Sequence, residues 1–381
     1  MYRRTPRLEI HPDRITHNAR TVVRAAHAHG GQVAGVGKVC CAHPSVIAAM
    51  VAGGVDALAD SRIINLMSIS EQGTGLPTML LRIPAPSAAA DVVRCADVTL
   101  NSGLPTLRIL SDAAGQAGVR HGVIVMVDVG DLREGVWPDQ AVDLVTQAAS
   151  LPHLDLLGLG ANLACYGGVI PTVDNMRALI AVRDACREAT GLELATLSGG
   201  NSSSLPLLAS GSMPPEINHF RIGETIVLGR NVLDRTPWPG TYQNTFHLIT
   251  EIVELERKPS VPIGDRGQNA FGEQPEFLDR GTRLRAIVNI GRQDVAIDGL
   301  TPIDPGISII GASSDHLILD VQDAVGEVRL GAPVGFWPSY GALLALSTSP
   351  YVQKVAVRDR IDNSTELGQM MSLQMEAPSL S

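Results

Sequence analysis

A lysine ends an apolar, glycine-punctuated run, Val33-Ala-Gly-Val-Gly-Lys-Val39. Such a run reads as a buried parallel strand. An ammonium at its end loses hydration, so Lys38 either snorkels to the surface or is placed to react. A lysine with a lowered pKa is the nucleophile that forms an imine with a carbonyl compound. Two other stretches could hold an anion. Ser198-Gly-Gly-Asn-Ser-Ser-Ser204 and Arg221-Ile-Gly-Glu-Thr225 each put small residues where a strand gives way to a helix. Backbone N–H groups at such junctions cradle phosphates, although the same residues also serve as plain helix caps.

These residues need a scaffold that brings them together, and the periodicity supplies one. Short apolar strands are expected at 33–37, 57–59, 78–83, 97–100, 123–128, 154–159, 194–197 and 220–222, with segments of helical period between them. Pro12 opens one helix with a stripe of Ile15, Ala19, Val22, Val23 and Ala26, and Gly30-Gly31 stops it. Asp60-Ser61 is expected to cap another. Eight strands alternating with helices predict an α/β fold, a (β/α)8 TIM-type barrel. A doubly wound sheet is the alternative, but no G-x-G-x-x-G or Walker loop signals one. After about residue 230 the texture becomes all-β, with runs at 241–253, 284–290, 307–310, 316–321, 327–330 and 334–336. The expected organisation is a barrel over 11–234 and a smaller, mainly β C-terminal domain over 235–365, joined by a strand within 1–10. Residues 265–281 read as a polar surface loop and 366–381 as a frayed tail.

Composition narrows the function. The chain has 381 residues and a net charge of −9 without a basic run, which argues against a nucleic-acid partner. No apolar run is long enough for a bilayer, so no membrane is expected, and the N-terminus lacks a secretory apolar stretch. Cysteines at 40, 41, 95, 165 and 186 are odd in number and show no disulfide framework, which fits a reducing cytoplasm. No residue is assigned to a metal.

In a barrel, chemistry sits at the C-terminal strand ends. This sequence places there Lys38, Asp60, Ser61, Asn101, Ser102, Asp128, Asp131, Arg133, Asn162, the 198–204 turn, Arg221, Gly223 and Glu224. A strand-end lysine opposite a phosphate cradle suggests pyridoxal 5'-phosphate.

These residues resemble the fold-type III pyridoxal-phosphate enzymes of the alanine racemase class, and more closely the ornithine racemase-like branch. The resemblance rests on Pro6-Arg-Leu-Glu-Ile, Val33-Ala-Gly-Val-x-Lys38-Val, Leu58-Ala-Asp-Ser-Arg-Ile63, Asn162-Leu-Ala-Cys-Tyr-Gly-Gly168, Gly200-Asn201-Ser202, Arg221-Ile-Gly223, Gly291-Arg-Gln-Asp-Val295, Asp304-Pro-Gly-Ile307, Gly311-Ala-Ser-Ser-Asp-His316 and Tyr340-Gly-Ala-Leu-Leu344. It implies an isomerase that interconverts L and D amino acids by α-proton removal. Lys38 would hold the cofactor as an internal aldimine and act as one base. Asn201, Ser202 and the N–H groups of Gly223 and Glu224 would bind the phosphate. Arg221 would face the pyridine nitrogen and leave it unprotonated, because arginine keeps its own proton. Asn162 stands where alanine racemases carry a histidine, and Arg133 where they bind the substrate carboxylate. The resemblance also implies a head-to-tail homodimer.

One departure matters. The alanine enzymes carry a catalytic tyrosine in Gly-Tyr-Ala-Asp, and this chain has Gly291-Arg292-Gln-Asp294 there. A second base must come from elsewhere. His316, with a pKa suited to neutral pH, and Asp315 rank first, with Tyr340 a further candidate on the substrate side. A carboxylate such as Asp315, Asp294 or Glu224 would suit a basic amino acid, ornithine or lysine. Competing readings are a decarboxylase or lyase on the same scaffold, which in this class use a late cysteine or a His/Cys metal pair, and a non-catalytic pyridoxal-phosphate-binding protein, which would lack the second domain.

Overall fold

The computed structural model describes residues 4–358. The chain opens with β1 (Arg7–Ile10) and α1 (Pro12–Ala28). There follow β2 (Gln32–Val36), α2 (Pro44–Ala52), β3 (Ala57–Asp60), α3 (Ile63–Glu71), β4 (Thr78–Leu80), α4 (Ala89–Cys95), β5 (Val98–Asn101) and α5 (Leu104–Ala117). Next come β6 (His121–Met126), α6 (Ala141–Ala149), β7 (Leu154–Gly160), α7 (Val173–Thr190), β8 (Thr196–Ser198), α8 (Leu205–Ala209), β9 (His219–Ile222) and α9 (Glu224–Leu228). Strands β2 to β9 pair in parallel and β9 returns to β2, so the barrel closes.

The strands are buried on both faces, as parallel strands must be. Val33, Val123 and Val125 pack towards the helices, while Ala34, Val36, Ala59, Met79, Leu100, Ile124 and Met126 fill the interior. Where β7 meets β8 there is no room for a side chain. A Cβ on Gly158 would lie 1.8 Å from the Thr196 carbonyl oxygen.

Helix α1 buries the expected stripe, with Pro12 in the first turn, where its missing N–H costs no bond. The stripe also contains a polar residue that periodicity does not explain. Asn18 is fully buried; its Nδ2 donates to the carbonyls of Ile226 at 3.1 Å and Tyr242 at 2.8 Å, and its Oδ1 accepts from Tyr242 N at 2.7 Å. It ties α1 to α9 and to the chain entering the second sheet. Asn18→Leu strands three backbone groups, so it is expected to destabilise the fold by about 2–3 kcal/mol, read as a lower urea midpoint at unchanged slope.

The remaining elements are β10 (Phe246–Pro259), β11 (Thr282–Val288), β12 (Leu300–Pro302), β13 (Ser308–Ala312), β14 (Leu317–Asp320), β15 (Pro333–Pro338), α10 (Tyr340–Thr348) and β16 (Gln353–Ala356). The sheet order is β12-β15-β10-β11-β14-β13, and β1 joins it antiparallel to β10 and parallel to β16. Residues 246–251 of β10 serve β1 and β15, whereas the strand from Ile252 onward serves β11. A register shift between Ile252 and Glu254 follows directly on the change of partner.

Four local expectations change. Residues 327–330 form no strand; just before them the Asp304 carboxylate takes the N–H groups of Val325 at 3.0 Å and Gly326 at 2.9 Å and holds a turn. Elements β12, α10 and β16 had no counterpart in the sequence reading. Asp60 is not the capping residue of α3: Arg62 is, and Asp60 Oδ1 accepts its N–H at 2.9 Å. Strand β4 ends at Leu80, and 81–83 form part of a cavity rim. The expected tail at 366–381 lies outside the described residues. Among the described residues no helix is long and apolar enough to cross a membrane.

Candidate active site

Lys38 follows β2 directly, in a short 3-10 turn. Gly37 N donates to Ala59 O at 2.9 Å, and the Gly37 carbonyl accepts from Cys40 N at 3.2 Å and Ala42 N at 3.1 Å. The backbone on both sides of the lysine is therefore fixed. Its side chain is half-buried and lines a cavity of about 660 Å³ at the C-terminal ends of the strands. Asp60 lies close by. One of its oxygens is committed to Arg62 and Asn65, and the other has no hydrogen-bond partner among the described residues. Burial raises its pKa, while bonds from Asn65, Arg62 and Ser61 and the charge of Lys38 draw it back.

The three serines after β8, of which Ser202 lines the same cavity, have different duties. Ser204 Oγ donates to Gly199 O at 2.6 Å and Ser203 Oγ to Leu163 O at 3.3 Å. Ser202 Oγ accepts from Thr225 N at 3.4 Å and donates to no acceptor among the described residues. Its proton is the one available to an anion in the cavity. The turn requires its glycine: Gly200 has φ +110°, and a Cβ there would lie 2.7 Å from Ser204 Oγ. Asn201 is a bracket between two loops. It gives Nδ2 to Asn162 Oδ1 at 3.0 Å and Leu163 O at 2.9 Å, and takes Ser203 N at 2.7 Å. Asn162 also lines the cavity, and its buried Nδ2 has no partner among the described residues.

Arg221, on β9, is 4% exposed. It donates to Ser198 Oγ and, at 2.7 Å, to the Ala161 carbonyl. Burial lowers its pKa to about 10, so it stays cationic at neutral pH. Behind it, Ser198 Oγ lies 2.7 Å from His219 Nδ1. Burial, then the nearby Arg221 charge, push the His219 pKa down to about 3 from an ordinary 6.5, so the imidazole is neutral at neutral pH. Arg221 can only donate, so Ser198 Oγ accepts from it and its own O–H is left to donate to an unprotonated His219 Nδ1. Between those two pKa values the unfolded chain binds the extra proton. Stability conferred by His219 is present above pH 6.5 and lost as the pH falls towards 3, by at most about 1.4 kcal/mol per pH unit. His219→Gln is expected to flatten that slope in urea titrations across the same window.

Arg133 reaches the cavity from the loop after β6, paired with Glu134. Asp131, two residues earlier, holds that loop. Burial opposes its ionisation, and N–H groups of Tyr166, Val169, Cys165 and Gly167 outweigh this, so its carboxyl sits below the usual range. Asp131 anchors one loop to the next and does not face the chemistry. Gly223, Glu224 and Tyr340 complete the rim. Tyr340 comes from α10 of the second sheet's domain and reaches its own barrel; burial raises its pKa to about 12.

His316 and Asp315 are not among the cavity residues. They occupy the turn between β13 and β14, side chains 49% and 69% exposed, 3.3 Å apart. The Gly291 turn lies against them: Arg292 N donates to Ser313 O at 3.0 Å and Gln293 N to Ser314 O at 2.9 Å. Arg292 pairs with Glu273 at 2.7 Å and lies 4.5 Å over the Phe271 ring. Within the polar 265–281 loop, Glu273 and Phe271 thus pack against Arg292 and leave Asp315 and His316 open. Sequence reasoning took Ser198 only as part of an anion-holding turn and gave no role to His219 or Arg235. His219 stands two residues before a quoted motif, whereas nothing local marks Arg235.

A closed parallel barrel whose rim cavity is lined by a strand-end lysine, a free hydroxyl and a buried arginine, completed by an antiparallel sheet, defines a class of two-domain barrel enzymes. The alanine racemase N-terminal domain profile matches residues 10–231, and the chain belongs to the alanine racemase family. Ornithine racemase from Acetoanaerobium sticklandii is 42% identical over 92% of this chain and 99% of its own length. Lysine racemase from Thermotoga maritima is 38% identical over 92% and 98%. An alanine racemase structure from Clostridium difficile shares the fold, with TM-score 0.70 and 18% identity over 94% of this chain and 97% of that one. The family's cofactor is pyridoxal 5'-phosphate. The residues present fit it: an amine to bind it, the open Ser202 hydroxyl for its phosphate, and the orphaned Asn162 amide in the same cavity.

Proposed function

We propose that this chain is a pyridoxal-phosphate-dependent racemase of a basic amino acid such as ornithine or lysine. The observation that carries the reading is that Lys38, Ser202 and Arg221 line one cavity, in a chain similar along most of its length to an ornithine and a lysine racemase. When bound, the cofactor supplies an electron sink that makes the α-proton acidic. Lys38 would bind it and move a proton at Nζ. Ser202, with Asn201 shaping the turn and the N–H groups of Gly223 and Glu224 beside it, would hold the phosphate. Arg221, fixed by Ser198 and Ala161, would face the ring nitrogen, with Asn162 behind it. Arg133 would take the substrate carboxylate, and Tyr340 would bound the substrate side.

Inversion needs a proton on each face of the α-carbon. Arg292, Asp315 and His316 lie outside their own cavity, which supports a head-to-tail homodimer in which a second copy presents them, with His316 and Asp315 the bases offered. The proposed domains are 11–234 and 235–365 with 1–10, in a cytoplasmic enzyme.

The test is incubation of the pyridoxal-phosphate-loaded protein with single enantiomers of ornithine, lysine and alanine in deuterated water, followed by chiral chromatography. The expected result is interconversion of ornithine or lysine enantiomers with deuterium at the α-carbon and far slower turnover of alanine. Release of carbon dioxide, ammonia or an aldehyde without inversion would show a decarboxylase or lyase instead.

A further inference from the structure

Arg235 and Glu224 form an ion pair on the wall of the cavity that also holds Ser202 and Gly223. The Glu224 side chain is only 12% exposed. Burial raises its pKa, and Arg235 foremost, then Lys38, bring it back down. A carboxylate beside the Ser202 hydroxyl repels any phosphate seated there, and within a protein that repulsion is screened far less than in water. Arg235 supplies the opposite charge.

The arginine is built in place although its side chain is 61% exposed. Its N–H donates to Asn231 O at 2.9 Å, and its carbonyl accepts from Arg230 Nη1 at 2.9 Å. Asp234 Oδ1 takes Thr236 N at 3.0 Å, which tightens the same turn. Arg235 itself has φ +64°, a region that residues with a Cβ seldom enter. The turn fixes the origin of the side chain, and the pair with Glu224 fixes its end.

We propose that Arg235 is a positioning residue for the cofactor phosphate: it offsets the Glu224 carboxylate on the wall of the cavity and so lets a phosphate ester sit against Ser202. This rests on the pyridoxal-phosphate reading of the same cavity. The other use of Glu224, pairing with the cationic end of a basic substrate, is opposed by its existing pair with Arg235.

The test titrates pyridoxal phosphate, and separately pyridoxal without the phosphate, into cofactor-free wild type, Arg235→Ala, Glu224→Gln and the double variant, read by absorbance and tryptophan fluorescence. Arg235→Ala is expected to weaken pyridoxal phosphate binding about tenfold or more while leaving pyridoxal binding unchanged. Glu224→Gln is expected to bind at least as tightly as wild type, and the double variant to return to within about threefold of it. Arg235→Ala within about twofold of wild type, equal weakening for both ligands, or a double variant no better than Arg235→Ala overturns the assignment alone. A wild-type chain that takes up no pyridoxal phosphate overturns the reading of the cavity, and this assignment with it.

Discussion

Lys38→Ala is expected to lower racemisation by at least about 10⁴-fold, because two contributions disappear together. The amine that would attach the cofactor is gone, and so is the proton carrier on one face of the α-carbon. No other lysine lines the cavity to replace it. The fold should survive: Lys38 is half-buried, and its turn is held by backbone bonds to Gly37 and Ala59 that do not use the side chain. The melting temperature should therefore stay near that of wild type while the visible absorption of the loaded enzyme is lost. Lys38→Arg should behave alike, because a guanidinium keeps its proton and is not a nucleophile at neutral pH. Turnover within tenfold of wild type in either variant would remove the basis for the proposed chemistry.

Arg221→Gln is expected to lower turnover by about 10²–10³-fold, the range seen when one preorganised electrostatic contact is removed. Its second signature is more telling. An arginine at the ring nitrogen would keep that nitrogen unprotonated and the sink weak, and so would suppress transamination, in which the amino nitrogen stays on the cofactor and the substrate's carbon skeleton leaves as a keto acid. Arg221→Glu offers a carboxyl partner that can share a proton with the ring, so keto acid should form, up to one equivalent per bound cofactor, while racemisation falls. Arg221→Lys should not rescue either defect, since one ammonium on a shorter, non-planar head cannot reproduce the fork to Ser198 and Ala161. Wild-type racemisation by Arg221→Gln, together with no keto acid from Arg221→Glu, would mean that the guanidinium has no part in the chemistry.

What could be read without coordinates was local. Eight apolar runs gave eight barrel strands, because burial on both faces leaves an unbroken apolar signature that needs no partner to be recognised. Lys38, Ser202 and Arg221 stood out because a charge or a hydroxyl at the end of such a run is itself unusual. The second sheet was harder. Strand β16, with only partial burial, carries no apolar period, and its place is set by pairing with β1 from the far end of the chain. The 327–330 run looked like a strand, but the Asp304 carboxylate already holds the N–H groups just before it.

The sequence by itself determined the barrel, the amine at the rim and the residues that could face it, since each follows from short-range pattern and side-chain chemistry. Only the tertiary structure decided how those groups divide their work. It left one serine hydroxyl of three uncommitted, put a neutral imidazole behind Arg221, brought Tyr340 to its own barrel and set His316 on a separate surface. Hydrogen-bond partners and burial are relations between distant segments, and a linear pattern carries no record of which donors have already been used.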